Sequence, residues 1–77
     1  MEISLDRVSP GMRAVVTQIP DFIPIKQRLR EFGFVPGTEL CCRFLSPDGA
    51  LAALEFLGTV VAVRTSDLQG ILVRREP

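Results

Sequence analysis

The sequence contains no histidine, tyrosine or tryptophan, and its only two cysteines, Cys41 and Cys42, stand side by side. Without histidine the chain lacks the commonest general acid/base and the commonest imidazole ligand of transition metals. Two adjacent cysteines are not the disulfide framework of a small secreted protein. Neighbouring strand residues face opposite ways, so this pair is poorly placed to grip one ion, and zinc sites want wider cysteine spacing and further ligands. Cys42 therefore reads as a small core residue and Cys41 as an outer-face residue. The residual metal case is an ion held between two copies by Cys41 and a carboxylate.

An excess of charge of one sign is also missing. Nine basic and nine acidic residues cancel, and only Arg28–Arg30 and Arg74–Arg75 bring positive charges together. Nucleic-acid binders of this size carry a basic excess, because phosphate neutralisation supplies most of their non-specific affinity. Nucleic acid is thus disfavoured, while self-association stays open, since zero net charge gives little repulsion between copies. Long apolar runs are absent as well. Phe44 to Val63 is interrupted by Pro47, Asp48, Gly49, Glu55 and Gly58, which excludes a membrane helix. Met1 to Asp6 carries acidic residues rather than a leader's apolar run, so the expected location is the cytoplasm.

No P-loop, dinucleotide fingerprint or nucleophile elbow is present. Asp48, beside a turn glycine, reads as a turn former rather than a catalytic acid. With no catalytic set, no cofactor motif and no metal-ligand set, the chain is expected not to be an enzyme.

What is present is punctuation. Pro10-Gly11, Pro20-Asp21, Pro36-Gly37, Pro47-Asp48-Gly49, Gly58 and Gly70 divide the sequence into short segments. Between them the period is mostly two. Leu40, Cys42 and Phe44 share one face of Thr38 to Leu45, and Ala52, Leu54 and Phe56 share one face of the next segment. Val61 and Val63 pair likewise, as do Ile71 and Val73, and Ala14 and Val16 within Met12 to Ile19. Ile19 is out of phase with Ala14 and Val16, which predicts a bulge near Gln18.

One segment changes period. Ile25, Leu29 and Phe32 recur at helical spacing, with Lys26, Gln27, Arg28, Arg30 and Glu31 on the other face. This predicts a helix within residues 22–33, with Pro24 near its first turn and Gly33 in the left-handed conformation that ends it. Ile23 offers no side-chain oxygen as an N-cap. Thr65 to Gln69 reads as one helical turn capped by Ser66 or Thr65. The expected architecture is one all-β domain over residues 1–77: a five-stranded barrel with one short helix between its first and second strands.

Leu51, Leu57, Val60 and Leu72 fall on the face opposite the core sets, and Phe22 lies in the loop before the helix. Contiguous apolar residues in such places mark a binding surface. These five are the candidate partner-binding residues.

The pattern as a whole resembles a known family. Ile3-Ser4-Leu5, Val8, Pro10-Gly11 and Ala14-Val15-Val16 are similar to the opening of FeoA domains. Arg28-Leu29-Arg30-Glu31-Phe32-Gly33-Phe34-Val35-Pro36-Gly37-Thr38 resembles their most recognisable segment. Gly58, Val61-Ala62-Val63-Arg64, Asp67-Leu68 and Ile71-Leu72-Val73 continue the likeness over essentially the whole chain. The turn Ser46-Pro47-Asp48-Gly49 departs from the longer Gly-Asp-Pro turn of many members. The resemblance implies an SH3-like barrel and a cytosolic protein that acts with FeoB, a membrane GTPase-permease, in ferrous iron uptake. The alternatives are a stand-alone SH3-like adaptor, a transition-metal-binding module or, against the charge balance, a nucleic-acid binder.

Overall fold

The computed structural model describes residues 1–76. In chain order it contains β1 (Glu2–Ser4), a 3₁₀ turn (Leu5–Arg7), β2 (Arg13–Gln18), α1 (Lys26–Glu31), β3 (Glu39–Leu45), β4 (Leu51–Phe56) and β5 (Thr59–Arg64). A second 3₁₀ turn (Thr65–Leu68) and β6 (Leu72–Arg75) complete it. The strands form one antiparallel sheet in the order β1-β6-β2-β3-β4-β5.

The five-stranded barrel is corrected in two respects. There are six strands, because Glu2, Ile3 and Ser4 pair with Arg74, Val73 and Leu72. Three residues are too few to reveal a period of two, and α1 consequently lies between the second and third strands. Nor does the sheet close: among the described residues β1 pairs only with β6 and β5 only with β4.

The core sits inside the curl of this sheet. Ala14, Val16, Leu40, Cys42, Ala52, Leu54, Phe56 and Val73 are buried, and Val61 and Val63 pack against them half-buried, as the alternation predicts. Each fully buried Val, Leu, Ile or Phe contributes roughly 1.5–3 kcal/mol, so a core this small depends on every one. Phe34 and Phe56 meet edge to face with ring centroids 4.9 Å apart.

Two bulges set the phase. The register of β2 against β6 shifts between Val16 and Gln18, which brings Ile19 back into the core as expected. A second shift, between Cys42 and Phe44 against β4, breaks the alternation read from the sequence. The extra residue there is Arg43, and it turns Phe44 outward. Phe44 is 55% exposed, whereas Leu45 packs against the core.

The helix lies within its predicted window, and its N-cap, Ile25, makes no side-chain capping bond. Its C-terminus is a Schellman motif. Gly33 at φ 85° donates to the Arg30 carbonyl at 2.9 Å, and Phe34 donates to that of Leu29 at 2.9 Å. Phe32, on the apolar side of the predicted helix, is about half exposed, at the C-cap position where the helix ends. Buried Thr38 ties the following loop down: its hydroxyl donates to the Gly33 carbonyl at 3.0 Å and accepts from the Val35 amide at 3.2 Å.

Neither Ser66 nor Thr65 caps the second 3₁₀ turn, whose N-cap is Arg64. Thr65 instead donates to the Gly49 carbonyl at 2.8 Å, joining this turn to the β3–β4 hairpin. Asp48 holds that hairpin, accepting from Ser46 Oγ at 2.7 Å and the Ala50 amide at 3.0 Å. Both bonds, that from Ser46 foremost, hold its carboxyl below the ordinary value of 3.8.

Candidate functional site

The outer face of the β3–β4–β5 segment can be built row by row from its register, since directly opposed residues share a face. Phe44, Ala53 and Ala62 form one row. Leu51 and Arg64 flank it on one side, and Cys41, Glu55 and Val60 on the other. Glu55, Cys41 and Arg64, with Arg43 reaching over to Glu55, are its polar members, and the remainder is apolar. Leu51 is 45% exposed and Val60 56%. Ala53 is buried, yet it stands outside the core cluster, between Phe44 and Ala62.

Leu57 extends this surface at the hairpin tip. The β4–β5 connection has only two residues, Leu57 at φ 51° and Gly58 at φ 75°. Positive φ at both is the type I′ pattern, which favours Asn-Gly or Gly-Gly. A leucine in the left-handed region costs about 1–2 kcal/mol. Here that leucine is also 69% exposed.

Of the five residues picked from the sequence, the fold groups Leu51, Leu57 and Val60 on this hairpin. Leu72 is half-buried on β6, with β2 and β3 intervening before β4. Phe22 is 71% exposed, with its ring over Gly70, so that a Cβ there would come within 2.7 Å of Cζ. Neither extends the hairpin surface along the sheet. Phe44 and Ala62 belong to the surface and were missed. Strict alternation places Phe44 inward, but the bulge at Arg43 breaks it, and alanine carries no signal.

Beside this face runs a groove of about 270 Å³ between α1 and β5, with Ile25, Arg28, Leu29 and Phe32 on one wall, Val61 to Arg64 on the other, and Leu51 of β4 and Asp67 completing the lining. Arg64 pairs with Asp67 at 3.1 Å.

The cysteines face opposite ways, Cys42 buried and Cys41 half-buried, and burial pushes the Cys42 thiol up. Cys41 lies beside Glu55, which Arg43 approaches at 3.4 Å. Among the described residues no three of His, Cys, Asp or Glu gather closely enough to hold a metal. None of their helices is long and apolar enough to cross a membrane.

These features define a small SH3-like β domain with an exposed apolar hairpin and an adjoining groove. Residues 3–75 match the FeoA domain, and the chain belongs to the FeoA family. A FeoA-like protein from Clostridium acetobutylicum has the same fold at 26% identity, with a TM-score of 0.88 over 99% of this chain and 88% of that one. FeoA from Stenotrophomonas maltophilia, solved with zinc, is 27% identical, with a TM-score of 0.74 over 96% and 95% of the two chains. It is described as a prokaryotic SH3 domain protein and advanced as an activating factor of bacterial ferrous iron transport. A manganese-dependent transcriptional repressor shares the fold alone, at 16% identity and a TM-score of 0.86, over 97% of this chain but 41% of its own. No curated protein sequence matches this chain significantly.

Proposed function

We propose that this chain is a cytosolic accessory protein of ferrous iron uptake that docks on the cytosolic domain of a FeoB-type membrane GTPase-permease and turns over no substrate. The observation that carries this reading is Leu57: an apolar side chain, 69% exposed, kept at a tight turn in a conformation that disfavours it. Backbone strain at an exposed position is tolerated where function requires the side chain. Phe44, Leu51 and Val60 continue the apolar surface behind it. Membership of the FeoA family, and the transport-activating role advanced for the Stenotrophomonas maltophilia relative, support the choice of partner.

The contact is modest, burying less than about 1,200 Å² as weak encounters do. The test is surface plasmon resonance with this chain immobilised and the purified cytosolic domain of the transporter encoded by the same genome. Saturable binding that salt weakens only slightly is expected for an apolar contact. Absence of binding at any attainable concentration would reject the reading.

A further inference from the structure

The two edges of the sheet are protected very differently. β1 is three residues long and carries Glu2, which meets Thr17 through a hydrogen bond. β5 is twice as long, reads Thr-Val-Val-Ala-Val-Arg, and has no proline, no bulge and a single charge at its end. Exposed edges are usually blunted by brevity, charge, proline or a bulge, because unpaired backbone groups recruit another strand. β5 has almost none of these devices.

The hairpin geometry says which backbone groups are unpaired. In a two-residue hairpin the closing pair, Phe56 and Thr59, is hydrogen-bonded, and bonded and non-bonded pairs then alternate. The Thr65 amide bonding the Ala50 carbonyl at 2.9 Å keeps that phase at the far end. Val60, Ala62 and Arg64 therefore turn their N–H and C=O groups away from β4. The groove lies on that side. Four consecutive residues, Val61 to Arg64, line it. Side chains alternate between faces, so four in a row can line one groove only if it runs along the strand's edge.

We infer that the edge of β5 is a strand-addition site that takes an extended segment of a partner protein, apolar at alternate positions and bearing a carboxylate. This rests on the reading of the chain as a docking protein and assigns the docking mode. The free N–H and C=O groups of Val60, Ala62 and Arg64 supply the ladder, as in other edge-strand complexes. Ile25, half-buried, and Phe32, about half exposed, offer apolar surface above buried Leu29 to every second side chain of the guest. Arg64 is engaged by Asp67, whereas Arg28 makes no ion pair among the described residues, so the groove retains one uncompensated positive charge. The β5 edge of a second copy, Thr-Val-Val-Ala-Val-Arg, carries no carboxylate to meet Arg28.

The test is an amide NMR titration of the full chain with three synthetic eight-residue peptides, alternating valine with glutamate, threonine or lysine. Shifts and slowed hydrogen exchange are expected at the amides of Val60, Ala62 and Arg64. The glutamate peptide should bind about two- to fivefold tighter than the threonine one, and the lysine peptide weakest. Ala62→Pro removes one outward N–H that β4 does not use, a change edge strands tolerate, and should weaken binding at least about tenfold. Arg28→Glu should invert the preference between glutamate and lysine peptides without touching the ladder. No binding by any probe up to millimolar concentration, or binding that leaves those three amides unmoved, would overturn the inference. Peptide binding without capture of the transporter domain would reject the proposed partner and leave the groove standing. Transporter capture undiminished by both variants would reject the groove and spare the partner.

Discussion

Leu57 at the tip of the β4–β5 hairpin rests against Gly33 at the end of α1, so that a Cβ on Gly33 would fall 2.6 Å from Leu57 Cδ1. Both residues have positive φ, 85° at Gly33 and 51° at Leu57. The contact joins the exposed apolar turn to the helix that walls the groove. Gly33→Ala faces two penalties, a close contact and a left-handed backbone. Leu57 is an exposed, flexible side chain that can swing aside, so the backbone penalty dominates, at about 1–2 kcal/mol. Chemical denaturation should give that loss for Gly33→Ala and nearly the same loss in a Leu57→Ala background. If the loss vanishes in that background, the contact is the cause and the assignment is wrong.

Leu57 itself predicts a trade-off. Asparagine is at ease in the left-handed region of a type I′ turn and leucine is not. Leu57→Asn should therefore stabilise the fold by about 0.5–1 kcal/mol while weakening capture of the transporter domain. Thermal unfolding and surface plasmon resonance on the same preparation check both halves. A variant that is more stable and binds unchanged would remove Leu57 from the contact.

Much of this is legible in local sequence, and part of the rest fails for local reasons. Gly33 announced the helix end because only glycine sits comfortably at φ 85° there. Ile19 betrayed its bulge by being out of phase. The bulge at Arg43 leaves no such trace, since an arginine followed by a phenylalanine carries no glycine or proline mark, and alternation alone points Phe44 inward. β1 is too short for periodicity to register. The groove was beyond reach for a different reason: that β5 is an edge, and that α1 stands beside it, follows from pairing across the whole chain. Arg28 and Ala62 have no local signature of the role argued for them.

The Ser46–Asp48–Ala50 turn predicts a pH dependence. Asp48 has a folded pKa below its ordinary 3.8, chiefly through the bond from Ser46 and then that from Ala50. A depressed carboxylate pKa contributes stability that is complete above the unfolded value and is lost as pH falls through the folded one. The difference in melting temperature between the native chain and Asp48→Ala should stay constant from neutral pH down to about pH 5 and shrink below about pH 4. Circular dichroism melts across that range check it. A difference that persists or grows on acidification contradicts this account of the turn.

The last prediction separates the hairpin surface from the two other apolar residues singled out in the sequence. Val60, Phe44 and Leu57 sit on adjoining parts of the β3–β4–β5 outer face, whereas Leu72 lies on β6 and Phe22 over Gly70. A charge placed in an apolar contact must be desolvated without a partner, which costs several kcal/mol. Val60→Asp and Phe44→Asp should each lower affinity for the transporter domain at least about a hundredfold, a loss of about 2.7 kcal/mol or more. Both side chains are largely exposed, so the fold should survive, with at most about 1 kcal/mol lost from strand propensity. Phe22→Asp should leave binding within about twofold, because its ring meets Gly70 rather than the hairpin. Binding curves for the three variants, each with a circular dichroism spectrum, decide the matter. Equal losses in all three would mean that the docking surface wraps the domain. Loss confined to Phe22→Asp would move the contact to the loop before α1 and away from the β4–β5 hairpin.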